Sequence, residues 1–163
     1  MALEIERKFR VSDQRWRSQV SKSTLLRQGY LANTARASVR VRLAGDEAWL
    51  SVKAMTPGPA RAEYEVAVPV ADAGEMLERL CEAALIEKWR HIVVHDGDRW
   101  EIDEFLGANA GLIVAELELE SAQQSFARPA WLGAEVTHEE RYYNFRLAQH
   151  PFEQWPTGQR SAT

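Results

Sequence analysis

The sequence predicts an α+β fold: a mostly antiparallel sheet of about seven or eight strands, curled or closed, with helices packed outside it. Three observations lead there. Seven segments alternate apolar and charged residues with the period of a strand. Only three short segments carry helical spacing. The charges on the alternating segments are also sorted by sign, whereas ordinary wet strand faces mix signs with Thr, Ser and Gln.

The alternating segments are taken in chain order. "LEIERKF" (3–9) sets Glu4, Glu6 and Lys8 against Leu3, Ile5 and Phe9. "SVRVRL" (38–43) sets Arg40 and Arg42 opposite Val39, Val41 and Leu43, and "AWLSVKA" (48–54) brings in Lys53. "RAEYEVAV" (61–68) puts Arg61, Glu63 and Glu65 on one side and Tyr64 and Val66 on the other. "EKWRHIVVH" (87–95), "RWEIDEF" (99–105) and "LIVAELELE" (112–120) complete the series, and "HDGDR" (95–99) reads as a hairpin turn between two of them. Helices are expected over 11–20, over 72–85 with Asp72 as cap, and over 138–150 with Pro151 as a stop. No linker or repeat divides the chain. Residues 1–150 read as one domain and 151–163 as a loosely held tail.

Composition narrows the function. At 163 residues the chain suits a single domain with a proper core, and its net charge of −4 argues against a general binder of nucleic acid or of membrane surfaces. The single Cys81 has no intramolecular partner and points to a reducing compartment. Charges begin at Glu4, no signal-peptide pattern occurs and no long apolar run exists, so a soluble, cytoplasmic protein is expected. His91 and His95 would lie about 13 Å apart on a strand, too far for one zinc ion. Cys81 reads as core, the six Trp as packing residues, and no Gly-rich phosphate loop is present.

The sorted charges carry more information. Glu4–Glu6, Glu63–Glu65 and Glu116–Glu118–Glu120 are acidic rows, while Arg40–Arg42 and Lys88–Arg90 are basic. Alternate residues share a face at a spacing of about 6.6 Å, so Glu4 and Glu6 can reach one hard cation or two neighbouring ones. Rows of opposite sign can neutralise one another, or hold a ligand that bears both signs, namely a metal ion on a polyphosphate. A closed barrel with charge inside and apolar alternates outside suits the second use.

These segments together resemble the CYTH family, the triphosphate tunnel metalloenzymes. Its Glu-x-Glu-x-Lys signature is met by Glu4, Glu6 and Lys8, and the likeness continues in family order through "QGYL" (28–31), "VRVR" (39–42), "SVK" (51–53), "RAEYE" (61–65), "EKWR" (87–90), "EIDEF" (101–105), "ELELE" (116–120) and "WLGAEVT…RYYN" (131–144). The resemblance implies an eight-stranded antiparallel β-barrel, a tunnel with divalent metal on one flank and triphosphate along basic residues. It implies Glu4, Glu6, Glu116 and Glu118 as metal-side carboxylates, Glu63 and Glu65 as tunnel acids that place metal or water, and Lys8, Arg40, Arg42, Lys53, Lys88 and Arg90 as phosphate-binding cations. Tyr30 matches a tunnel tyrosine of short bacterial relatives, and with Lys53 it is expected to exchange protons with attacking water. Asp103 and Glu120 match less closely, and Arg61 shares the face of Glu63 without an assigned role. Glu139 and Glu140 stand where many relatives have at least one Asp, a departure that bears on the tunnel mouth.

The expected activity is hydrolysis of inorganic triphosphate to diphosphate and orthophosphate, dependent on Mg²⁺ or Mn²⁺. The expected partner is that anion or another triphosphate-bearing small molecule, with neither nucleic acid nor membrane. The alternatives are a CYTH-type adenylate cyclase, a thiamine or nucleoside triphosphatase, and a non-catalytic polyphosphate-binding module. Oligomeric state has no signal in the sequence.

Overall fold

The computed structural model describes residues 2–56 and 59–161. Among them nine strands form a single antiparallel sheet: β1 (Ala2–Val11), β2 (Val20–Asn33), β3 (Ala37–Ala44), β4 (Glu47–Ala54), β5 (Ala60–Ala67), β6 (Ile86–His95), β7 (Asp98–Phe105), β8 (Ile113–Glu118) and β9 (Leu132–Glu135). Eight of them close a ring in the order β1-β5-β4-β3-β2-β6-β7-β8 and back to β1. Closure depends on the length of β1, which pairs with β8 through Glu6–Arg10 on one edge. Its other edge is shared, with β5 on Ala2–Ile5 and the short β9 on Phe9 and Val11.

Strand alternation sorts the residues as the sequence suggests. Even-numbered Glu4, Glu6 and Lys8 face the barrel interior. Odd-numbered Ile5, Phe9 and Val11 face out and pack with Trp16, Trp100, Ile102, Leu117 and Trp131 under the flanking loops. On the far side, α1 (Val70–Arg79) lays Ala73 and Leu77 over Val41 and Ala48 of β3 and β4. The barrel is therefore apolar outside and charged inside.

Three expected helices come out shorter. Over 11–20 the chain makes only a 3-10 turn at Arg15–Gln19, because β1 runs on to Val11 and β2 begins at Val20. One turn is enough to bury Trp16, and the Asp13 carboxylate accepts the Arg15 backbone N–H at 2.8 Å to shape it. The helix expected over 72–85 ends at Arg79, and residues 81–85 cross β2 instead. That crossing requires Gly29: a Cβ there would collide with Cys81 Sγ and lie 2.8 Å from Leu85 Cδ2. Over 138–150, a 3-10 turn at Glu140–Tyr142 is separated from α2 (Asn144–Gln149) by extended Tyr143.

Two strands were not legible. β2 is the longest, but its polar run Ser21–Thr24 and the register shift between Tyr30 and Ala32 break the alternation. β9 has four residues and no period to read.

The stretch after Pro151 is also unlike the expected loose tail. Phe152 and Trp155 are buried with Phe145 and Leu147 against Ile86, Phe105, Leu112 and Val114. Ile86, Phe105 and Val114 continue the inward faces of β6, β7 and β8, so α2 and residues up to Ser161 plug one end of the barrel. Of the expected tail, Ala162 and Thr163 lie outside the described residues. No helix among the described residues is long and apolar enough to cross a membrane.

Candidate active site

The barrel interior holds two adjoining chambers. The larger, about 180 Å³, is lined by seven carboxylates (Glu4, Glu6, Glu63, Glu65, Glu101, Glu116 and Glu118) and four cations (Arg40, Arg42, Lys53 and Arg90), with Asn144. The smaller, about 40 Å³, has Glu6 as its sole carboxylate among the described residues, against Lys8, Arg40, Lys53 and Arg61, with Tyr30, Ser38, Ser51, Met55, Tyr143, Asn144 and Phe145. Glu6, Arg40, Lys53 and Asn144 belong to both walls.

Register decides who meets whom. Lys8 is directly opposite Glu116, and Glu116 opposite Glu101. Lys8 Nζ accordingly lies 3.2 Å from Glu116, while Arg90 reaches Glu116 at 3.6 Å and also contacts Glu101. Burial pushes the Glu116 carboxyl up, but Lys8, Arg90, Lys88 and Lys53 outweigh it and hold the group well below the usual carboxylate range. For Lys8, burial disfavours the charged form, yet Glu116 and Glu6 raise its pKa on balance.

Further along the same two strands the balance differs, where Glu6 stands opposite Glu118. Burial, and then neighbouring carboxylates, hold both Glu6 (beside Glu116) and Glu118 (beside Glu4, Glu101 and Glu6) above the usual range. Glu6 makes a contact of 3.4 Å with Arg61, whose guanidinium also lies 5.1 Å from the Tyr143 ring centre. Glu4 Oε2 is buried and accepts no hydrogen bond, although Lys53 Nζ stands 2.6 Å away, because the ion pair lacks hydrogen-bond geometry. The negative charge on this wall is thus incompletely met.

Across β3, β4 and β5 the contacts are looser. Arg40 lies 3.8 Å from Glu63 and 3.5 Å from Ser51 Oγ, which donates to Glu65 at 2.9 Å. Arg40 Nε is buried without an acceptor. Arg42 donates to Gln28 at 3.3 Å, and burial together with Arg40 and Arg90 pushes its pKa down to about 10. These are cations with capacity to spare for an anion.

Lys88 stands apart from the other expected phosphate ligands. Its side chain is fully buried, it lines neither chamber, and its ammonium donates to Asp103 at 2.5 Å and to Asn144 at 3.1 Å. Burial pushes its pKa down to about 8 despite Asp103. Asp103 is itself fully buried and also accepts two hydrogen bonds from Arg90 at 2.8 Å. Burial opposes its charge, but Arg90 and Lys88 prevail and lower its pKa. This network sits behind the wall and aims Arg90 and Asn144 into the larger chamber.

Tyr30 and Lys53 line the smaller chamber together, but no hydrogen bond joins them. Glu120 lies outside both chambers, as do Glu139 and Glu140, which pair with Arg141 at 3.4 Å and Arg146 at 3.0 Å. Sequence reasoning assigned no role to Glu101, Ser38 or Ser51, although Ser38 and Ser51 are each two residues from an expected site residue, and Glu101 two from Asp103, and so share those faces. Asn144 and Tyr143 are on no strand and carried no such signal. Tyr143 roofs Lys8 and Arg61, anchored by its hydroxyl donating to the Thr137 carbonyl at 2.9 Å.

Among the described residues no three His, Cys, Asp or Glu side chains converge as a preformed metal cage. The donor set nevertheless suits a hard divalent cation. It is all carboxylate oxygen, it includes Glu4 Oε2, which is buried with an ion pair but no hydrogen bond, and it carries two carboxyls crowded by their neighbours.

Comparison with known proteins gives a consistent picture. Residues 2–149 match the CYTH domain. A protein named inorganic triphosphatase from Acetivibrio thermocellus is 45% identical over 152 residues, covering 93% of this chain and 97% of that one. Another of the same name from Nitrosomonas europaea is 38% identical over 149 residues, covering 89% and 96%. The crystal structure of an inorganic triphosphatase superposes with a TM-score of 0.65 at 35% identity, over 91% of this chain and 95% of its own.

Proposed function

The chain belongs to the CYTH family, and from that premise we propose that it hydrolyses inorganic triphosphate to diphosphate and orthophosphate with the aid of Mg²⁺ or Mn²⁺. The observation that carries this reading is the pair of adjoining chambers of opposite charge balance inside one barrel. Triphosphate bears a charge of about −4 at neutral pH, and its complex with a divalent cation presents both signs to the protein.

Arg40, Arg42, Lys53, Arg90 and Lys8 would hold the phosphate chain, with Arg61 added at the smaller chamber. Glu4, Glu6, Glu116 and Glu118 would hold the cation, which when bound supplies charge to offset what develops on the phosphoryl oxygens. Lys88 and Asp103 serve as positioning residues behind Arg90. Water oxygen attacks the terminal phosphorus, the bridging P–O bond breaks and diphosphate leaves. Glu63 and Glu65 face the chamber where the water's proton can be taken up, and Tyr30 with Lys53 flanks the neighbouring one.

The test offers triphosphate, ATP and thiamine triphosphate separately with Mg²⁺ and then Mn²⁺, and follows orthophosphate, diphosphate and cyclic AMP. The highest kcat/KM is expected on inorganic triphosphate, with loss of turnover in excess EDTA. Activity that persists in EDTA would sink the metal-dependent mechanism. Cyclic AMP formed from ATP would establish a cyclase, and binding without turnover a binding module.

A further inference from the structure

On the face of the plug away from the chambers, Arg10 of β1 is 5% exposed, and its Nε has no acceptor. Its two hydrogen bonds go to neutral oxygens: Nη1 donates to Tyr142 Oη at 3.0 Å and Nη2 to the Arg160 carbonyl at 3.1 Å. Among the described residues no carboxylate pairs with it. Arg141 joins it, donating to the same Tyr142 oxygen at 3.3 Å, with its guanidinium 4.6 Å from the Trp155 ring centre. The Tyr142 hydroxyl thus accepts from two guanidiniums, and its own proton must point elsewhere.

These groups open onto a cavity of about 280 Å³ between β1, β9 and the C-terminal segment, bounded also by Gly158 and Gln159. Among the described residues Glu139 is the one carboxylate on its rim, half exposed and 3.4 Å from Arg141. An exposed pair of that kind yields readily to a better acceptor.

We propose that this cavity is a second anion site, separate from the barrel interior, that takes a tetrahedral oxyanion of the orthophosphate class. Two guanidiniums meet at the Tyr142 hydroxyl on its wall, Arg141 also donating to Gln159 at 2.8 Å, and an oxyanion with several acceptor oxygens can take over these neutral contacts. A bound phosphate supplies the counter-charge that Arg10 lacks. It also ties β1 to the segment that carries Tyr143 and Asn144 into the chambers.

The experiment titrates the full chain with orthophosphate by calorimetry in metal-free buffer. Arg42→Ala weakens binding in the barrel and leaves the outer site in view. Arg10 is too deeply buried for Arg10→Gln to separate binding from folding, so Arg141→Gln, at a side chain 39% exposed, is the deciding variant. In the Arg42→Ala background, phosphate affinity is expected to fall by about tenfold or more on adding Arg141→Gln, as loss of a charge-assisted contact implies. Arg141→Gln alone should leave triphosphate turnover unchanged in phosphate-free buffer. Phosphate affinity unmoved by Arg141→Gln, or no phosphate binding at all in Arg42→Ala, overturns the proposal.

Discussion

The larger and smaller chambers share the inward faces of β1, β3, β4 and β5, yet their charge balances are opposite. Carboxylates outnumber cations in the larger, and cations outnumber carboxylates in the smaller. Around the larger chamber the charges are also met unevenly. On the Lys8–Glu116–Arg90 side every carboxylate has a close cation, and Glu116 stays ionised far below its usual range. On the Glu4–Glu6–Glu118 side the carboxylates crowd one another, and Glu6 and Glu118 are harder to ionise. A satisfied wall holds its shape; an unsatisfied one is where a ligand gains most.

The sharpest way to break this contrast is at Glu6, on the wall between the chambers. Glu6→Gln is expected to lower kcat/KM by about a thousandfold, comparable to losing a key electrostatic contact to the transition state. Its unfolding free energy should be no lower than wild type, because the site already disfavours the Glu6 charge. Steady-state kinetics beside urea unfolding checks both. A large stability loss would mean that Glu6 acts as a structural partner of Arg61 and does not serve the ligand.

Arg42 tests the cationic share of the larger chamber. Arg42→Ala should weaken triphosphate binding by about 2–5 kcal/mol, as for a desolvated charge contact. Arg79→Ala, on exposed α1, should leave it unchanged. Equal affinities by calorimetry would place Arg42 outside the binding surface.

The smallest effect concerns the network behind the wall. Lys88 has a folded-state pKa of about 8 against the ordinary 10.5. Between those values the unfolded chain holds the proton and the folded one does not, so stability rises with pH across that window. Below about 8 the burial penalty is present in full. Urea unfolding from pH 7 to 10, below the range where Arg42 titrates, should show the rise in wild type and its loss in Lys88→Met, where Arg90 still pairs Asp103. A rise that survives in Lys88→Met would assign the titration to another group.

Period-two alternation made the inside and outside of the barrel legible from the sequence. Glu4, Glu6, Arg40, Arg42, Lys53, Glu63, Glu65, Arg90, Glu116 and Glu118 all line the larger chamber because a strand leaves its alternate residues no other face. What alternation cannot state is depth along the barrel. Lys88 has the same parity as Arg90, yet two residues nearer the plug it is sealed behind Asp103, while Arg90 reaches the chamber.

The plug itself had no readable signal. Phe152 and Trp155 lie in short turns without a helical or strand period, and only the open end of a closed barrel supplies the apolar surface that buries them. Local sequence determined which side chains face one another's strands and with what sign, since that follows from backbone geometry over a few residues. Tertiary structure alone decided register, depth and closure: which carboxylate met Lys8, which lysine was withdrawn from the tunnel, and that Asn144, on no strand, entered it. Those outcomes depend on contacts between residues far apart in the chain, such as Lys8 with Glu116 and Lys88 with Asn144, which no local pattern encodes.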